Sequence, residues 1–334
     1  MNRLIALIMA IAATAGMWAQ KNSAPDFAYP RQVEKNADAA IGKALSRADY
    51  PALLEAVVQW SLAKTQVSSD SIPAVLTRLN AIASSVSDPA AGAMLTSLRA
   101  TIYTRAYLNN RYTYDRREFT ADAGEDFALW SKENFARRVD SLTMASLQPQ
   151  ESLLATPAAV YSAVIDFKNA DKALYPTLLD FIGMRGVDNI SEFASGGSTL
   201  SQALVTDCTD TSLYPPAGNP AGDILRIYRS LETAAADAGR TSAQVNYLLD
   251  MMEFINERAF YHTSGTELYN EALMSRYRSM LPASDSAVRF LLATDSDFNR
   301  AEVYGELLRF SQEHPAYAGI NAVTNRINAM GHKG

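Results

Sequence analysis

Apolar side chains recur at helical spacing along almost the whole chain, and the strict alternation that marks a half-buried β-strand is nearly absent. Three of these helical runs open with a proline, at Pro51, Pro73 and Pro89. Proline suits the first turn of a helix because its missing N–H would have no intrahelical partner there. We therefore expect an all-α fold of stacked antiparallel helical hairpins, tetratricopeptide-like or solenoid-like, with one long irregular loop.

The first residues have the pattern of a secretory signal peptide. Arg3 gives a short charged start, the run from Leu4 to Ala15 is apolar, and small residues lead to Ala19. The apolar run is too short to cross a bilayer as a mature helix. We expect residues 1–19 to be a signal peptide cleaved after Ala19. The mature chain is then expected in the periplasm or at the cell surface, without a membrane span.

One stretch interrupts the helical pattern and predicts the domain organisation. Residues 195–222 contain Ser195-Gly196-Gly197-Ser198 and later Tyr214-Pro215-Pro216-Ala217-Gly218-Asn219-Pro220, both typical of irregular chain. This irregular loop separates a predicted N-terminal helical hairpin domain, residues 20–194, from a predicted tetratricopeptide-like region, residues 223–334.

Composition restricts the kinds of partner and site. The formal net charge is −6 and Lys and Arg form no block, so we do not expect nucleic-acid binding. Hydrophobic residues make up 48% of the chain, which is enough for a sizeable core. Cys208 is the single cysteine and cannot form an internal disulfide. It lacks a nearby histidine in the sequence, since His262, His314 and His332 are scattered, so a free thiol is the simplest interpretation.

One string resembles a catalytic motif. Ser61-Leu62-Ala63-Lys64 matches the S-x-x-K pattern of penicillin-binding proteins, in which the lysine deprotonates a serine one helical turn away. Those enzymes place a further motif on a sheet edge, whereas this sequence predicts no sheet. Ser61 also falls inside a predicted amphipathic helix and not at its start. We therefore interpret the string as an ordinary helix surface.

A second string resembles a calcium-binding loop. Asp295, Asp297, Asn299 and Glu306 occupy positions one, three, five and twelve of the EF-hand pattern. The sixth position, where the pattern needs glycine for its turn, is Arg300. A helix N-cap followed by a helix explains the same residues more simply. We expect no metal site, no cofactor and no catalytic residue in the chain.

Aromatic and basic residues at two places are candidates for protein contacts, because tyrosine and arginine are enriched at interfaces. The first place is a polar, tyrosine-rich loop predicted over residues 111–120, for which a solvated loop is the alternative interpretation. One long helix is predicted to follow it, from Gly124 to Ser146. The second place is the last helical hairpin. The candidate interaction residues are Tyr112, Tyr114, Arg116, Arg117, Tyr304 and Tyr317.

Several strings of the chain resemble one protein family. They are Leu174-Tyr175-Pro176-Thr177-Leu178-Leu179-Asp180-Phe181, Met184-Arg185-Gly186-Val187-Asp188, Tyr29-Pro30-Arg31-Gln32-Val33, Ser61-Leu62-Ala63-Lys64 and His314-Pro315. Together they resemble the N-terminal helical region of Bacteroidetes alpha-2-macroglobulin-family proteins. In that family the helical region precedes a series of β-sandwich domains, and the whole molecule traps proteases.

The resemblance implies a module without chemistry of its own. Many members attach to the trapped protease through a Cys-Gln thioester, but Cys208-Thr209-Asp210-Thr211 is not such a motif. We therefore expect a non-catalytic docking or scaffolding segment, with a protease or the downstream macroglobulin domains as its partner. The alternative is a stand-alone tetratricopeptide-like adaptor that binds a peptide or a glycan in the cell envelope.

Overall fold

The computed structural model of the chain describes residues 28–121, 123–167, 169–194, 210–259, 300–317 and 319–331. Within these ranges the protein forms thirteen α-helices, three short 3-10 helices and no β-strand, which confirms the predicted all-α class. The chain divides into two compact units on either side of the Ala194–Ser195 bond. The predicted signal peptide, Cys208 and the acidic string from Asp295 to Asn299 lie outside the described residues.

Nine of the helices belong to the first unit. They are α1 (Pro30–Arg47), α2 (Tyr50–Val67), α3 (Ile72–Ser85), α4 (Pro89–Asn109), α5 (Arg111–Tyr114), α6 (Lys132–Ser146), α7 (Gln150–Ala155), α8 (Asn169–Leu174) and α9 (Leu178–Ser191). Short 3-10 helices occur at Ser69–Ser71 and Ala158–Tyr161 in the first unit, and at Thr211–Leu213 in the second. The second unit also contains α10 (Pro220–Asp237), α11 (Thr241–Ala259), α12 (Arg300–Glu313) and α13 (Ile320–Gly331).

The helix starts in the first unit follow from capping chemistry. The Asp49 carboxylate accepts a hydrogen bond from the backbone N–H of Ala52 at 3.2 Å, and Asp88 accepts one from Ala91 at 2.7 Å. Each cap satisfies an N–H that has no carbonyl partner in the first turn. Prolines occupy the first turns of α1, α2, α3 and α4, as the sequence predicts for the last three.

Helix α4 is the centre of the first unit. It packs against α2, α3, α5, α6, α7 and α9, and its buried side chains surround most of its circumference. A helix that is apolar on nearly all sides belongs in a core. In a regular solenoid each repeat contacts only its neighbours, whereas α4 also contacts α9, far along the chain. The solenoid or tetratricopeptide-like arrangement therefore stays a prediction.

The second unit is described as two helix pairs. Helix α10 packs on α11, and Gly239 makes the turn between them with a φ of +67°, a backbone conformation that favours glycine. Helix α12 packs on α13. Val303, Leu307 and Phe310 are buried on α12. Residues at similar spacing are buried on α13, namely Val323, Ile327 and Met330. The predicted terminal hairpin is present in these two helices.

Two predicted boundaries are wrong. The helix predicted from Gly124 begins at Lys132, because Gly124 has a φ of +55° and Oδ1 of Asn134 caps the new helix by accepting hydrogen bonds from the N–H and hydroxyl of Ser131. The irregular loop predicted to end at residue 222 ends earlier, because a helix begins at Pro220. There the Asn219 side chain accepts backbone hydrogen bonds from residues 221 and 222, which fixes the start at Pro220.

Candidate docking site

The chain between α4 and α6 is the most unusual part of the first unit. We call residues 111–131 the 111–131 segment. Its described residues, all except 122, form the single helical turn α5 and then turns and irregular chain as far as Ser131. Connections in compact domains are usually shorter than this, and a connection of such length is commonly functional. The segment includes four of the six residues that the sequence nominates for protein contacts.

Aromatic rings fasten the 111–131 segment to the core. The ring of Trp130 stacks on Tyr103 of α4 with centroids 5.4 Å apart and an angle of 8° between the planes. The ring centroid of Tyr114 lies 4.6 Å from that of Phe135 of α6, and the ring centroid of Phe127 lies 4.8 Å from that of Trp130. Each such ring pair stabilises the arrangement by about 0.5–1.5 kcal/mol beyond the area it buries. The segment is thus held against both α4 and α6.

Hydrogen bonds fix the backbone of the same segment. Nη1 of Arg117 donates to the carbonyl oxygens of Phe127 and Trp130, at 2.8 and 3.2 Å. Nε1 of Trp130 donates to the carbonyl of Gly124 at 3.0 Å. These bonds satisfy carbonyl groups that a chain without regular structure would otherwise leave to water. The segment is therefore a defined structure, although it has little regular secondary structure.

The candidate residues of the segment divide into two pairs. Tyr114 is buried in the aromatic cluster and Arg117 holds the backbone, so both support the segment from within. Tyr112 is 69% exposed, and the guanidinium carbon of Arg116 lies 3.7 Å above the centre of its ring. This distance is well inside the range of a cation–π contact. Of these four candidate residues, Tyr112 and Arg116 are therefore the exposed ones, and we call them the outer pair.

The candidate residues of the second unit lie on the α12–α13 hairpin. Tyr317 is half-buried, with its ring edge-on to Phe310 at a centroid distance of 5.4 Å. Tyr304 is also half-buried on α12. The structure therefore gives Tyr317 a packing role inside the hairpin, while Tyr304 stays a predicted contact residue.

A pocket of about 440 Å³ lies beside the 111–131 segment, and the sequence did not indicate it. Phe119, Gly124 and Trp130 line it from the segment, and Arg137, Arg138 and Leu142 line it from α6. Its volume is within the range typical of small-ligand sites. The sequence predicts one helix from Gly124 to Ser146, and for that reason it does not predict the pocket.

Ion pairs organise the polar side of the pocket. Nη2 of Arg138 lies 2.6 Å from Oε1 of Glu125, and Nη2 of Arg137 lies 2.6 Å from Oε1 of Glu133. The Tyr103 hydroxyl donates to the other oxygen of Glu125 at 2.7 Å. Burial, followed by the Glu125 hydrogen bond, raises the pKa of Tyr103 well above its ordinary value, and burial lowers the pKa of Arg99 nearby.

The two residues of the S-x-x-K string have separate surroundings. Ser61 is buried in the middle of α2, and its hydroxyl has no hydrogen-bond partner in the structure. Nζ of Lys64 lies 2.7 Å from Oε1 of Glu34 on α1, an ion pair that joins the first two helices. The structure does not bring the hydroxyl and the ammonium together as the serine–lysine mechanism requires.

Comparison with protein-family models, curated proteins and solved structures finds no match for this chain. Among the residues that the structure describes, no three His, Cys, Asp or Glu side chains are grouped so that they could hold a metal ion. In the same described ranges, no helix combines the length and the apolar character that crossing a bilayer requires.

Proposed function

We propose that this chain is a non-catalytic docking module that presents the 111–131 segment to another protein. The observation that carries the proposal is the outer pair, an exposed Tyr112–Arg116 stack on a segment that the core holds in place. Tyrosine and arginine contribute much of the binding energy at protein interfaces. A surface that is already ordered before binding loses less conformational entropy when the partner arrives.

The resemblance to alpha-2-macroglobulin-family proteins suggests the setting of this docking role. We infer that the chain is an exported helical module of the cell envelope, and that its partner is a protease or the macroglobulin domains that follow in such proteins. An all-α fold is what the resemblance implies for this region. The string from Met184 to Asp188, which contributes to the resemblance, lies on α9 against the central helix α4.

Site-specific photo-cross-linking in cells that produce the full chain tests the docking role. A photoreactive phenylalanine analogue replaces Tyr112, and in a matched control it replaces Tyr29, which is equally exposed at 69%. We expect one discrete cross-linked protein from position 112, lost when Arg116 is changed to alanine, and none from position 29. Equal cross-linking at both positions, or none at position 112, would contradict the proposal.

The same experiment separates the stand-alone adaptor from the docking module. An adaptor that uses a groove of the terminal hairpin would cross-link through position 304 on α12 and not through position 112. We expect the reverse, because Tyr304 is half-buried whereas both residues of the outer pair are exposed. A discrete adduct at position 304 alone would favour the tetratricopeptide-like adaptor.

A further inference from the structure

We propose that the pocket beside the 111–131 segment binds an acidic side chain of a peptide, next to an apolar side chain of the same peptide. The inference rests on the proposed docking function and names the chemistry of the partner that this segment receives. It starts from the composition of the pocket walls. Phe119, Trp130 and Leu142 supply apolar surface, while Arg137 and Arg138 supply positive charge within the same cavity.

The hydrogen-bonding groups around the pocket favour an acceptor ligand. The Asn134 oxygen accepts from Ser131, and its Nδ2 donates one of its two hydrogens to the carbonyl of Thr120 at 2.8 Å, which leaves one donor. Arg137 uses Nε and Nη2 on Glu133, and Arg138 uses Nη2 on Glu125. Among the residues that the structure describes, Nη1 of Arg137 and both Nε and Nη1 of Arg138 have no acceptor, and a guanidinium can form five such bonds.

The arginine side chains favour an anionic ligand. Arg99 lies within electrostatic range of the Arg138–Glu125 pair, and its buried Nε has no hydrogen-bond partner in the structure. Arg99 thus adds a third positive charge near the Arg138–Glu125 pair, although it is not one of the residues that line the pocket. Charge-assisted bonds from arginine to carboxylate are among the strong hydrogen bonds of proteins, so a carboxylate suits the donors of Arg137 and Arg138.

The ring of Phe119 gives the ligand a second contact. Phe119 is 40% exposed, and the guanidinium of Arg137 lies 4.3 Å from its ring centre. An exposed aromatic ring beside paired arginines suits an aromatic or aliphatic side chain that neighbours the acidic one. A capped peptide containing Phe-Glu-Phe is therefore the matched probe, and the same peptide with Gln in place of Glu is its control.

Fluorescence anisotropy of the two labelled peptides with the purified full chain tests the inference. We expect the Glu peptide to bind at least about tenfold more tightly than the Gln peptide, as the loss of a charged hydrogen-bond partner predicts. A Glu133→Gln variant should bind the Glu peptide several-fold more tightly, roughly as expected when a competing carboxylate is removed from Arg137. Damage to the fold would weaken binding of the peptide, so tighter binding by this variant cannot be explained by such damage.

A variant that fills the pocket tests for the loss of peptide binding. Ser141 is exposed on α6 and lines the pocket, so Ser141→Phe should abolish binding of the Glu peptide. Ser84→Phe, at an exposed position on α3, should leave binding unchanged. Equal binding of the two peptides, no binding of either, or full binding by Ser141→Phe would overturn the inference. If position 112 still cross-links to one protein in that case, the docking proposal stands and only the ligand class is wrong.

Discussion

The hydroxyl of Tyr103 donates a 2.7 Å hydrogen bond to Oε2 of Glu125, and the ring of Tyr103 stacks on Trp130. A side chain of the central helix α4 therefore contacts the 111–131 segment through both a polar and an aromatic interaction. Glu125 in turn pairs with Arg138, which lines the pocket. The core, the segment and the pocket are thus connected through one chain of contacts.

Replacing Tyr103 by phenylalanine tests this connection. Tyr103→Phe keeps the ring stack and removes only the hydrogen bond to Glu125, so we expect a loss of about 1–2 kcal/mol in the free energy of unfolding. Urea denaturation followed by circular dichroism measures it. Tyr112→Phe, which alters an exposed hydroxyl, is the control and should leave the unfolding midpoint unchanged. If both variants unfold alike, the bond to Glu125 adds nothing to stability.

Buried tyrosines predict a loss of stability at high pH. Burial and hydrogen bonds to carboxylates raise the pKa of Tyr103 and of Tyr107, and burial raises the pKa of Tyr161 to about 12. Above about pH 10 the unfolded chain ionises these phenols while the folded chain keeps their protons. The folded state then binds more protons than the unfolded state. The stability that these three tyrosines contribute therefore falls as pH rises from about 10 through their pKa values in the folded protein.

Denaturation across this alkaline window provides the measurement. A variant in which phenylalanine replaces Tyr103, Tyr107 and Tyr161 should lose stability less steeply with pH than the natural chain does. Phenolate absorbance offers an independent readout, because these three of the 16 tyrosines should ionise only when the protein unfolds. Identical pH slopes for the two proteins would show that the three phenols are not responsible.

Arg185 predicts an unusual response to substitution. Its side chain on α9 is 2% exposed, Nη1 lies 3.5 Å from Oδ2 of Asp188, and Nε and Nη2 have no hydrogen-bond partner in the structure. Replacing an imperfectly paired buried ion by an apolar side chain is often neutral or stabilising, by up to about 4 kcal/mol. We expect Arg185→Met to unfold at an equal or higher urea concentration than the natural chain.

A control variant and the pH dependence of stability complete the Arg185 prediction. Arg185→Ala is the control, because it also opens a cavity and should destabilise the first unit. Burial lowers the pKa of Arg185 to about 10, so the unfolded chain binds the additional proton above that pH. The energetic penalty of the buried charge is therefore present at neutral pH and decreases as pH rises through about 10. A markedly less stable Arg185→Met protein would show that the charge itself is required.

The sequence predicted the fold class well because helix periodicity and first-turn prolines are local signals. It was wrong over residues 124–131, where it predicts a helix, for a physical reason. Phe127, Trp130 and Phe135 have spacings that a helical stripe also shows. Phe127 and Trp130 nevertheless belong to an irregular segment, and the rings of both contact the ring of Phe135. Ring packing between distant residues decides this, and a single sequence carries no record of it. Gly124 was the one local sign of a turn.

The same limit explains the division of the candidate residues. Tyr112 and Tyr114 are two positions apart in a string of similar composition, and only the structure shows that one is exposed and the other buried. Arg116 is exposed, whereas Arg117 is half-buried and bonded to carbonyls of the segment. The arginines of the pocket were not nominated, because their role depends on the segment that lies over α6.

Hydrogen exchange of the 111–131 segment in the unbound chain tests the central claim that the segment is a fixed docking surface. The amides of Leu129 and Trp130 donate to the carbonyls of Asp126 and Phe127 within the segment, so we predict exchange far slower than in an unstructured peptide. Trp130→Ala should remove most of that protection by removing the ring that anchors the segment. Exchange of these two amides at unstructured rates in the natural chain would contradict the account.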